Sequence, residues 1–226
     1  MHVFERYPKE SGRDYAFRIL RENIISLDLA PGSMLSEKEL AAKMGLSRTP
    51  VREALIELTK GGVVEVFPQR GSAVALIDPE RVEEARFMRE VLECAVVGQI
   101  CGRLSDIQLS ELEENVLLQK FYLDNHLADK LQMLDNQFHQ TLFCIAGKSR
   151  IYYLMDSISI HFDRVRRMSF AVVKDLKIVS DHEEILGAIK KGKKEQAMER
   201  MKTHLSRYKT DEVALRQEYP AYFKPV

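Results

Sequence analysis

The feature that most constrains this chain is a change of hydrophobic period between Ser33 and Leu76. Apolar residues recur first at helical and then at strand spacing. Ser36 followed three residues later by Glu39 is a capping box, so a helix is expected to open there, with Leu40, Ala41 and Met44 on its apolar face. Gly45 is a natural stop. A second helix opens around Ser47–Pro50, with Ser47 or Thr49 as its N-cap and Pro50 tolerated in the first turn. Val51, Ala54, Leu55 and Leu58 then form one inward stripe, which leaves Arg48 and Arg52 on the outward face beside Thr49. Gly61 and Gly62 end that helix, and VVEVF and SAVALI follow as β-rich segments around a Pro68-Gln69-Arg70-Gly71 turn.

Upstream, Phe17, Leu20, Ile24 and Leu27 recur at helical spacing from Asp14 onward, and Pro31-Gly32 closes that helix. Three helices followed by a hairpin read as a winged helix-turn-helix, a DNA-binding architecture. The chemistry fits. Arginine can grip guanine O6 and N7 or phosphate with its planar fork, and a helix N-terminus bearing Ser and Thr suits phosphate. Arg70 stands at the wing tip, and Gly71 lets the backbone approach a groove. Bulk charge gives no help, because 34 Lys and Arg balance 34 Asp and Glu. Any DNA contact must therefore come from locally placed cations.

Asp78-Pro79 marks the expected boundary between a domain at 1–77 and a second at 78–226, and no strand signal returns after it. The remainder reads as about six amphipathic helices in an antiparallel bundle, so the fold class is mainly α. The segments expected are Pro79–Arg103, one capped by Ser105, His126–Ala146, Ile151–Phe170, roughly Lys174–Lys191, and Lys193 to about Gln217. The first should bury Met88, Val91, Leu92, Ala95 and Val96; the second carries Ile107, Leu112, Val116 and Phe121. No apolar run approaches the ~18–20 residues of a membrane span. The start lacks a signal-peptide core, so a cytoplasmic protein is expected. Cys94, Cys101 and Cys144 form no CxxC and read as buried free thiols.

Asp135 and His139 are four residues apart on one helix and share its face with Leu131, Phe138 and Leu142. His182 precedes Ile185, Leu186 and Ile189 at helical spacing, and His204 follows Ala197 and Met201 in the same way. All four side chains are thus aimed at the bundle interior, where they must be hydrogen-bonded, paired or bound to metal. Three His and one Asp suit a borderline divalent ion such as Zn²⁺ or Ni²⁺ with open positions. A hydrogen-bonded polar core is the alternative. His2, His126 and His161 fit no pattern.

The stretch PGSMLSEKELAAKMGLSRTPVREALIELTKGGVVEV with the QRG wing tip resembles the GntR family of bacterial transcription regulators. The resemblance implies that Lys38, Arg48, Thr49, Arg52, Arg70 and Gly71 contact operator DNA. The segments DNQFHQTLF, SDHEEILGAI and MKTHL, in that order, look like the FCD effector domain of the FadR/VanR branch. That likeness implies a metal held by Asp135, His139, His182 and His204, and a small organic acid bound beside it. It also implies that Arg89, in RFMREVLE, meets the acid, with a second cation from Arg164 or Arg167.

The expected function is therefore that of a homodimeric, ligand-responsive regulator, a repressor in the family's commoner mode, on an inverted-repeat operator. It has no catalytic residue to name. Response to the metal ion alone is one alternative, and a metal-dependent hydrolase with a DNA-targeting domain is another.

Overall fold

Ser11 opens the first helix, its hydroxyl accepting the Asp14 backbone N–H, and α1 runs Gly12–Ile25 with Tyr15, Ala16, Ile19, Leu20 and Ile24 buried. The computed structural model describes residues 1–172 and 177–225. Helix α2 (Glu37–Met44) starts at Ser36, whose Oγ accepts the Glu39 N–H, and stops at Gly45 in the left-handed conformation, φ 65°. Ser47, extended at φ −74° and ψ 167°, is the N-cap of α3 (Arg48–Lys60). The inward stripe Val51, Ala54, Leu55 and Leu58 is buried against α1.

The wing consists of β2 (Val64–Phe67) and β3 (Gly71–Val74), antiparallel from Val64 opposite Val74 to Phe67 opposite Gly71. Gln69 and Gly71 take positive φ, 63° and 98°, which reverses the chain in so short a loop. A two-residue strand, β1 (Met34–Leu35), joins the other edge of β3. It had no sequence signal, because two residues cannot express a period.

The second domain holds α4 (Pro79–Ile100), α5 (Asp106–Asp124), α6 (Ala128–Ile145), α7 (Ser149–Ile158) and α8 (Ile160–Val172). It continues with α9 (Ile178–Lys190), α10 (Lys194–Ser206) and α11 (Tyr208–Glu218). The expected six helices are thus eight segments among the described residues. Ile151–Phe170 divides at Ser159, whose Oγ turns back on the Met155 carbonyl at 2.8 Å. Lys193–Gln217 divides at Arg207. The expected helix start at Lys174 lies outside the described residues.

The face of α4 also differs from expectation. Val91 and Ala95 are exposed, whereas Arg86, Arg89 and Glu93 are buried. Charges replace apolar side chains there because this stretch of α4 lines a polar interior. On α5, Leu112 and Val116 are buried as expected, but Ile107 and Phe121 are exposed, and Asn115 and Gln119 lie inside. The cysteines are free, yet none is fully buried: Cys94 and Cys101 are half-buried and Cys144 is exposed.

The connection between the domains is gripped on both sides. The Ala75 N–H reaches the Val63 carbonyl at 2.9 Å, and the Ala75 carbonyl accepts Arg164 Nη1 at 2.7 Å. The Ile77 N–H donates to the Tyr222 carbonyl at 2.7 Å, and its own carbonyl accepts the Lys224 N–H at 2.9 Å. Phe223 packs between them in a small core with Ile77, Val82, Phe162 and Val165. His161, unassigned from sequence, accepts the Asp78 N–H at Nδ1 (3.1 Å) and donates from Nε2 to the Gly62 carbonyl (3.1 Å). α1 lies against α8, and Ile160 is buried in the same core as Ile19 and Leu58.

Candidate functional site

Arg48, Thr49 and Arg52 all project from the first turns of α3 into solvent, and Lys38 does the same from α2. Arg70 and Gly71 are exposed at the tip of the wing. Local capping and the inward stripe of α3 suffice to produce this surface. Arg52 has a companion that the sequence did not indicate. Glu37 on α2 takes its guanidinium in a fork, with Nε–Oε1 at 3.0 Å and Nη2–Oε2 at 2.8 Å. The Arg52 hydrogen bonds hold the Glu37 carboxyl below its ordinary value.

The four inward residues meet. Donor atoms of Asp135, His139, His182 and His204 lie within 4.8 Å of one another, brought together by α6, α9 and α10. His204 Nε2 is 3.3 Å from both His139 Nε2 and His182 Nε2. Asp135 Oδ1 lies 3.8 Å from His139 Nε2 and 3.6 Å from His182 Nε2, buried and without a hydrogen-bond partner.

Each far ring nitrogen is held from behind. His139 Nδ1 contacts Glu93 Oε2, His182 Nδ1 lies 2.8 Å from Gln119 Oε1, and His204 Nδ1 lies 3.3 Å from Asp181 Oδ2. Gln119 spends its amide nitrogen on Asn115 Oδ1 at 2.6 Å, so its oxygen faces the imidazole and Nδ1 of His182 is the protonated nitrogen. With carboxylates behind the other two rings, all three Nε2 atoms present lone pairs to one point. Three converging lone pairs and a carboxylate repel one another unless a cation stands between them.

Protonation does not relieve this. Burial drives His204 down to about 4 despite Asp181, and holds His139 and His182 below the ordinary imidazole value. Neutral imidazoles are what a metal requires. Burial pushes the Glu93 carboxyl up, but Arg89 and His139 outweigh it and keep it ionised. The donor set therefore fits a borderline divalent ion, with nitrogen ligands predominating. Glu93, Gln119 and Asp181 were not found from sequence. Only Asp181, adjacent to His182, and Glu93, one turn after Arg89, carried any positional hint.

Beside the cluster is a small, partly open cavity of about 10 Å³, room for about one water, whose walls include Arg89, Asn136, Tyr152, Asp156, Asp163 and Arg166. Arg166 bridges it: Nη1 meets Asp163 Oδ1 at 2.9 Å, Nη2 meets Asn136 Oδ1 at 2.8 Å, and Nη2 also contacts Asp135. Arg89 binds Glu93 at 2.7 Å. Arg164, expected as the second effector cation, faces the other way, toward Ala75 and His161. Two residues along a helix place side chains on roughly opposite faces, so Arg166 enters the cavity where Arg164 cannot.

Comparison with known proteins agrees with this geometry. The model of bacterial regulatory proteins of the gntR family matches residues 14–74, and the FCD domain model matches residues 84–207. The chain is a GntR-family transcription regulator with an FCD domain. The regulator is 33% identical over 217 residues to the HTH-type transcriptional repressor RspR of Escherichia coli K12, covering 96% of this chain and 95% of that one. It is 38% identical over 206 residues to an HTH-type transcriptional regulator in an unstable DNA locus of Streptomyces ambofaciens, covering 90% and 86%. A solved GntR regulator from Rhodococcus sp. RHA1 superposes with a TM-score of 0.71 at 28% identity, over 94% of this chain and all (100%) of that one. The fold is also that of E. coli McbR/YncC, TM-score 0.78 at 20% identity, over 93% and 99%. Among the described residues no helix is long and apolar enough to cross a membrane.

Proposed function

We propose that this regulator is a cytoplasmic homodimeric repressor whose operator affinity is set by a small organic acid bound at a metal centre in the FCD domain. Arg48, Thr49 and Arg52 read a half-site in the major groove, Lys38 and the Arg70-Gly71 wing tip hold the backbone or minor groove, and two-fold symmetry matches an inverted repeat. The repressor reading is supported by the relative named as one.

The observation that carries the effector half is the convergence of three Nε2 atoms and Asp135 Oδ1 on one point, with every ring anchored at Nδ1. Asp135, His139, His182 and His204 would hold Zn²⁺ or Ni²⁺, which supplies a Lewis-acid position for a carboxylate. Arg89 and Arg166 give that carboxylate its counter-charges, while Asn136 and Tyr152 offer amide and hydroxyl partners to a short, polar acid.

Elemental analysis tests this directly. About one divalent ion per chain in the wild type and none in an Asp135→Ala/His139→Ala variant is the expected result. Absence of metal in both after reconstitution would leave the four residues as a polar core and remove the reading. Response to metal alone is the second reading, favoured by the small size of the cavity. It predicts that chelation by itself changes DNA affinity and that carboxylates do not.

A further inference from the structure

The metal cluster is joined to the DNA-binding domain by alternating charges. Asp135 contacts Arg166, Arg166 binds Asp163 at 2.9 Å, and Asp163 Oδ2 lies 3.9 Å from Nη2 of Arg21. Arg21 belongs to α1, the first helix of the winged domain, and the same Nη2 binds Asp156 Oδ2 at 2.7 Å and the Asp156 carbonyl at 3.2 Å. Asp156 and Asp163 are walls of the cavity beside the cluster. One arginine of the DNA-binding domain therefore holds the acidic wall of a pocket in the other domain.

The place it holds is mechanically apt. Asp156 and Asp163 flank Ser159, where α7 and α8 break, and Ile160, the first residue of α8, is buried in the core of the winged domain. A helix break is where a wall can move as a unit. At about 10 Å³ the cavity cannot take an organic acid with this wall in place. Anything larger must displace either the buried α4–α6 side or the α7–α8 break. Arg89 and Glu93 on α4 are locked to each other and to His139, whereas Asp156 is about a third exposed and tied mainly by Arg21.

We propose that Arg21 is the receiver through which the DNA-binding domain senses the effector cavity. Closure of the cavity and docking of α1 on α8 are one equilibrium, and entry of an acid breaks the Arg21–Asp156 pair. The acid takes over Arg166, Asp163 loses that partner, and the α7–α8 break moves away from α1. The coupling is reciprocal, so the state of α1 sets the affinity of the cavity. This rests on the effector reading above.

The test is hydrogen exchange read by mass spectrometry on the full-length, zinc-loaded protein, comparing wild type, Arg21→Ala and Arg21→Gln. Arg13→Ala, which removes a surface pair with Glu57 inside the winged domain, is the control. Both Arg21 variants should raise exchange about tenfold in residues 12–25 and also in 152–163, across the domain boundary. Arg13→Ala should leave 152–163 at the wild-type rate. If the Arg21 variants also leave 152–163 unchanged, the proposal is overturned.

Citrate, titrated by calorimetry, serves as the acid probe. It should bind Arg21→Ala at least about fivefold more tightly than wild type, because the variant no longer has to open. Equal, measurable affinities would overturn the proposal. No binding to either protein would count against the effector reading, with the exchange comparison still deciding the role of Arg21.

Discussion

Nδ1 of His182 lies 2.8 Å from Oε1 of Gln119, a residue whose own amide nitrogen is committed to Asn115. The pair fixes one tautomer of a fully buried ring and aims its Nε2 at the cluster. Gln119→Leu keeps the volume but leaves Nδ1 without an acceptor. Zinc affinity, measured by competition with a chromophoric chelator, is expected to fall about 10–100-fold. Unchanged affinity would show that packing alone orients the ring.

Arg48 and Arg70 should separate by what they read. Loss of a base contact in Arg48→Ala should cost about 1–3 kcal/mol and relax preference at one base pair. Loss of a backbone contact in Arg70→Ala should weaken all sequences alike and lower the salt slope by about one. Binding titrations across a salt series, on operator and scrambled DNA, distinguish the two. Glu37→Ala, which frees Arg52 from its fork, should alter DNA affinity more than stability, since the pair is exposed.

His161 makes the domain junction sensitive to acid. Burial first, then the Arg164 charge, pulls its pKa down to about 3 from 6.5. The folded state therefore keeps the ring neutral where the unfolded chain protonates it, so its stabilising contribution is present above pH 6.5 and lost as pH falls toward 3. The slope is at most about 1.4 kcal/mol per pH unit, or about 2 kcal/mol between pH 7 and pH 5. Denaturant melts at the two pH values should show a smaller loss in His161→Asn than in wild type. Equal losses would place the titration elsewhere.

Phe223 is the plug of the strap that holds the interdomain connection. Phe223→Ala should destabilise by about 3–5 kcal/mol and loosen the bridge to Ile77. Limited proteolysis should then cut near residues 75–78 before either domain is degraded. A variant as resistant as wild type would mean that Arg164 and His161 suffice to hold the segment.

Much of the winged domain was legible because its signals are local. Ser36 and Gly45 mark helix ends through bonds within a few residues of themselves, Ser47 does so by its extended backbone alone, and the change from helical to strand spacing at Val63 needs no distant partner. The inward aim of Asp135, His139, His182 and His204 was readable for the same reason, since each shares a face with apolar neighbours on its own helix.

What the sequence by itself determined, then, is the three helices and hairpin of the winged domain, the helical character of the rest, and which way each of those four side chains points. Tertiary structure alone decided that their donor atoms meet, that Glu93, Gln119 and Asp181 stand behind them, that Arg166 rather than Arg164 enters the cavity, and that Arg21 reaches it from the other domain. It also turned Arg86, Arg89 and Glu93 inward on α4, against the rule that charges lie outside. The physical reason is range. Caps, periodicity and pairs such as Arg89–Glu93 act over a few residues along the chain, whereas the meeting of Glu93 with His139, Gln119 with His182 and Arg21 with Asp156 joins distant segments, and that is a property of the packed fold.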